Sequence, residues 1–148
     1  MSAYHYTESG LANVYIEGLV PFLDDDGDEV IQIRAINELH RAIAQGIVCH
    51  DMGMSPEELR FLRTEMGLTQ TQLAEMVHRD KQSVGRWERG ETPMEGVIEA
   101  VIRQLAIERL DLENVPGGIE KLSKSSVRPT EVQPININHS HGHYALAA

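Results

Sequence analysis

Residues 55–90 carry two capping boxes and two glycine stops, which confine this stretch to a run of short helices. Ser55-Pro56-Glu57-Glu58 sets an N-cap serine, a first-turn proline and a reciprocal glutamate at the head of a helix over about 56–66. Leu59, Leu62 and Met66 fall on its inward side, and Gly67 ends it. Thr69-Gln70-Thr71-Gln72 repeats the capping pattern and opens a second short helix with Leu73, Ala74 and Val77 inward. His78-Arg79 makes a tight turn, Asp80 caps a third helix over 81–89, and Gly90 stops it. Pro93 opens a fourth helix to about 110, with Ile98, Val101, Ile102 and Leu105 along one side.

The flanks are less constrained. The β-branched runs 13–20 (NVYIEGLV) and 29–33 (EVIQI) bracket an acidic, glycine-containing segment and read as a hairpin with a longer loop. Ile36, Leu39, Ile43 and Ile47 recur at helical spacing and predict an amphipathic helix over 35–47 that covers the hairpin. Residues 49–54 read as a linker, and 111–148 as a largely irregular tail. The expected organisation is a small α+β module at 1–50 for dimerisation or partner binding, a helical domain at 55–110, and the tail. The expected fold class is mostly α.

A formal charge of −10 argues against a nonspecific polyanion binder or a binder of anionic membranes. The charge is uneven, however. Residues 1–54 carry nine acids and two bases, whereas 55–90 carry six of each. On a helical wheel Lys81, Gly85, Arg89, Gln82 and Arg86 span an arc of about 140°, with Val84 and Trp87 pointing away into the body. Lysine and arginine pair with guanine O6 and N7, glutamine pairs with adenine N6 and N7, and a helix has the width of the B-DNA major groove. Gln70 and the amides at the start of the preceding helix would sit on backbone phosphate, setting register without reading sequence. Double-stranded DNA is therefore the partner that this arc implies.

LTQTQLAEMV followed by SVGRWERGETP resembles the Xre family of helix-turn-helix proteins, relatives of the lambda-type phage repressors, over about 55–110. The resemblance implies a lambda-repressor-like fold, DNA contacts from Thr69, Gln70 and Gln72, and reading positions at Lys81, Gln82, Ser83 and Arg86. It also implies an internal ion pair between Arg63 and Glu88, which removes both from the DNA-contacting set. Two positions depart from the pattern. His78 stands at a turn position that is usually glycine, and Arg79 stands where an aliphatic residue is usual. Gly85 inside the reading helix costs about 1 kcal/mol against alanine, which close backbone approach to the bases would explain. The phrases YTESGLANVYIEG and IQIRAINELHRAIA ahead of the helix-turn-helix are similar to the layout of MqsA-type antitoxins, without the cysteine pairs that hold zinc in that family.

The remaining chemistry-bearing residues point to no reaction. A single cysteine, Cys49, excludes a disulfide framework and a cysteine-rich zinc site, and no catalytic set surrounds it. The acidic segment 24–29 lacks the spacing of a calcium loop and reads as a solvated turn or a negative patch facing a cationic partner. His139, His141 and His143 would share one face of a strand and are the only metal candidates, though a polar tail is the simpler reading. No signal peptide or membrane span is read, so a cytoplasmic location is expected. The reading is a cofactor-free, non-enzymatic regulator that represses by binding a palindromic operator as a homodimer. An autoregulating antitoxin with a toxin partner is the alternative.

Overall fold

The computed structural model describes residues 3–147. Strands β1 (Tyr4–Tyr6), β2 (Val14–Glu17), β3 (Phe22–Leu23) and β4 (Glu29–Val30) precede helices α1 (Ile36–Cys49), α2 (Pro56–Glu65), α3 (Gln70–Met76), α4 (Lys81–Glu88), α5 (Gly96–Arg109) and α6 (Gly118–Ser126). Strands β5 (Ile135–Ser140) and β6 (His143–Leu146) follow. Helix is the predominant regular structure, with a small strand-bearing module ahead of the helical region.

One sheet runs in the order β1-β2-β5-β6. Its outer pairs are antiparallel, and β2 and β5 pair in parallel from Val14↔Ile135 to Glu17↔Asn138. Helix α1 packs on it through Leu39, Ile43 and Ile47, all fully buried as their spacing predicts, while Ile36 in the first turn stays exposed. Gly46 permits this approach, because a Cβ there would lie 2.8 Å from Ile135 Cγ2. The core continues without a break into α2–α5.

The structure corrects the expected hairpin between 13–20 and 29–33. Val14 and Ile16 face inward and find apolar neighbours in Ile135 and Ile137, whereas β4 pairs only with β3 around the acidic loop. It also corrects the irregular tail, since 118–126 is helical and 135–146 completes the sheet, burying Leu122, Ile135, Ile137 and Tyr144. Such sparse apolar residues become strand only when α1 and β2 supply the opposing surface. The fourth helix of the central region begins at Gly96 and not at Pro93, because Met94 packs against the core from an extended lead-in. Val101, read as inward, is exposed.

The segment read as a linker is the most polar part of the interior. Arg103, fully buried, donates to His50 O (3.0 Å), Met52 O (2.6 Å) and Glu99 Oε2 (2.8 Å), and Met54 N donates to Glu99 Oε1 (3.2 Å). Burial raises the Glu99 carboxyl above its ordinary pKa, in spite of Arg103. Beside it Glu58 accepts from Ser55 N (2.8 Å) and Asn13 Nδ2 (3.4 Å) and lies 3.3 Å from His50 Nε2. Burial favours the neutral form of Glu58, but these partners outweigh it and hold its pKa below the ordinary value. Asn13 also donates to Gln133 O (2.7 Å), so residues from both ends of the chain meet here.

Candidate nucleic-acid interface

Helices α3 and α4 are placed by their ends. Thr69 Oγ1 accepts from Gln72 N (3.1 Å) and Gln72 Oε1 accepts from Thr69 N (2.9 Å), closing the capping box. At the other end of α3, His78 N bonds Glu75 O and Arg79 N bonds Ala74 O, a Schellman closure that puts His78 in the left-handed region at φ 57°. The turn thus keeps its geometry with histidine in the glycine position. Arg79 does not enter the core. Its guanidinium turns outward to both carboxylate oxygens of Glu95 (2.9 and 3.1 Å).

Asp80 caps α4 by accepting from Ser83 N (2.8 Å), and that bond holds the Asp80 carboxyl below its usual pKa. Val84 and Trp87 are buried and pin one side of α4 to the body. The internal pair forms as the resemblance implies. Arg63 donates to Glu88 through Nε (2.5 Å) and Nη2 (3.0 Å) and to Leu68 O through Nη1 (2.9 Å). Gln70 Nε2 joins at 3.2 Å from Glu88 Oε1, so this ion pair also orients a residue of the candidate interface. Replacing Glu88 by alanine leaves the half-buried guanidinium without its carboxylate and should cost about 1–3 kcal/mol in urea unfolding. An unchanged midpoint would show that the pair holds nothing.

Lys81, Gln82 and Arg86 lie exposed on the outward side of α4 and make no ion pair among the described residues; Ser83 is half-exposed beside them. The other candidates are placed differently. Arg89 is exposed but clasps Glu91 (3.0 and 3.1 Å), and its guanidinium holds the Glu91 carboxyl below its usual pKa. Thr69 and Gln72 spend their side-chain oxygens on the cap. Gly85 is buried, and a Cβ on it would lie 2.9 Å from Arg89 Nη1 and 3.7 Å from Gln70 Oε1. The nearer atom is the flexible end of the Arg89 side chain and the Gln70 contact is an ordinary van der Waals one, so neither neighbour by itself demands glycine here. Glu91 and Glu95 were not singled out by sequence. The Arg89-Gly90-Glu91 spacing across a helix stop was the available signal for the first.

The three tail histidines are set apart. His139 lies in β5, His141 occupies a two-residue turn with Gly142 at φ 54° and 79°, and His143 begins β6, so the single strand face expected for them does not exist. Among the described residues no group of three or more histidine, cysteine, aspartate or glutamate side chains could hold a metal ion. No described helix is long and apolar enough to cross a membrane.

A search of the curated proteins and of the solved structures gave no match. A family model described as helix-turn-helix matches residues 59–112, from the second turn of α2 to just beyond α5. Over those residues, somewhat more than a third of the chain, the sequence is similar to the Xre/lambda-repressor-like helix-turn-helix DNA-binding regulators.

Proposed function

We propose that this regulator reads a palindromic operator as a homodimer, with α4 in the major groove, and represses transcription by occupying the promoter. The observation that carries the reading is the side of α4 formed by Lys81, Gln82 and Arg86, which is exposed and unpaired among the described residues while Val84 and Trp87 fix the opposite side. Lys81 and Arg86 supply donors to guanine, Gln82 pairs with adenine, and Ser83 reaches either base. Thr69, Gln70 and Gln72 flank the duplex backbone, and Arg89 reaches phosphate by exchanging Glu91 for it. Two half-sites about 34–36 Å apart would receive the two copies. Val97 and Val101, one turn apart on α5 and 76% and 45% exposed, offer an apolar surface for the second copy. The antitoxin role implied by the MqsA-like layout would add a protein partner to this same DNA activity.

Selection from a random duplex pool, with the winner titrated against scrambled DNA across salt, tests the reading. A palindromic site bound about a thousandfold tighter, about 4 kcal/mol, supports it. No enrichment at any salt sinks it. On the selected site Arg86→Ala should weaken binding by about 1–3 kcal/mol and relax base preference at one position. Equal loss on scrambled DNA would make Arg86 a phosphate contact instead.

A further inference from the structure

We infer that the β3–β4 hairpin is a docking arm for a second protein, one whose surface carries an apolar groove rimmed by lysine and arginine. The inference is independent of the DNA-binding reading, because the arm shares no residue with the α3–α4 face.

The arm is both ordered and apolar. Asp24 Oδ1 accepts from the backbone N–H of Asp26 (3.0 Å) and Asp28 (2.9 Å), and Asp24 N donates to Asp28 O (2.9 Å), which closes the loop. Buried Leu19 and half-buried Ile33 root the two sides in the core. Between these roots Val20 and Leu23 are 79% and 69% exposed, and Phe22 and Ile31 are exposed as well. Among the described elements β3 and β4 pack chiefly against each other, which leaves these side chains largely open to solvent. A two-stranded hairpin is marginal on its own, and leaving four large apolar residues in water adds nothing to its stability. Held in place beforehand, the same residues lose little conformational freedom when a partner covers them.

Charge selects the occupant. Residues 17–33 contain six acids (Glu17, Asp24, Asp25, Asp26, Asp28 and Glu29) and no lysine, arginine or histidine. That repels nucleic acid and anionic lipid headgroups, and it sets two copies of the arm against one another. A basic protein surface is drawn to the arm at long range and buries its apolar residues on contact.

The test places a benzoyl-phenylalanine photocrosslinker at Leu23 of the full-length protein in its host cell, with the buried position Leu39 as control. The crosslinked protein is identified, purified and titrated against this chain. The inference predicts a partner of net positive charge whose affinity falls at least about tenfold between 0.05 and 0.3 M salt and in Phe22→Ser/Leu23→Ser. Asp25→Asn/Asp26→Asn, which leaves the loop-closing Asp24 intact, should slow association, and DNA affinity should be unchanged in both variants. Crosslinking only to another copy of this chain, no product above the Leu39 control, or a partner indifferent to Phe22→Ser/Leu23→Ser would each overturn it.

Discussion

Arg103→Ala should destabilise the fold by about 3–5 kcal/mol in urea or thermal unfolding. The guanidinium is fully buried and holds the carbonyls of His50 and Met52 as well as the Glu99 carboxylate. Removing it leaves a buried carboxylate without its counter-charge, two carbonyls without a donor and a void where the side chain packed. A domain of this size is stable by only about 5–15 kcal/mol, so the loss is a large share of the total. Replacing the pair together, as Arg103→Met/Glu99→Leu, should recover part of the loss, because no unpaired charge remains. A single-variant loss under about 1 kcal/mol would mean that water or a shifted backbone takes over the guanidinium's bonds.

Deleting residues 131–148 should unfold the N-terminal module. The deletion removes β5 and β6, and with them buried Ile135, Ile137 and Tyr144, which cover Val14, Ile16 and the inward side of α1. Each such side chain contributes about 1.5–3 kcal/mol when fully buried, and β2 also loses its parallel hydrogen-bond partner. Hydrogen exchange should show β1 and β2 amides unprotected in the truncated chain while α2–α4 amides remain slower. The point variant Ile137→Ala should cost about 2–5 kcal/mol in the intact chain. Protected β2 amides after truncation would show that the module stands without the C-terminal strands.

The helix-turn-helix was the legible part. Ser55, Thr69 and Asp80 cap helices where the sequence placed them, Gly67 and Gly90 end them, and Val84 and Trp87 are buried at the predicted spacing. The Arg63–Glu88 pair followed from the resemblance. The outward side of α4 was legible, with Lys81, Gln82 and Arg86 exposed on it. The sequence did not show that Arg89 is tied to Glu91, that Gln70 is oriented by Glu88, or that Gly85 is covered. Those facts depend on where side chains meet after α2, α3 and α4 have packed.

The determinants readable along the chain all act within about five residues: caps, glycine stops, the Schellman closure at His78 and the spacing of apolar positions on a helix. Partners that close leave a pattern, because helix geometry fixes their separation. The pairing of β2 with β5 joins Val14 to Ile135, and Asn13 bonds directly to Gln133 O as well as to Glu58 of α2. Contacts at such separation have no period and no required spacing, and neither run of four residues is apolar enough to demand burial alone. Packing settled them: once α1 lay across the sheet, the tail strands were the surface that could cover Val14 and Ile16, and the segment read as a linker became interior.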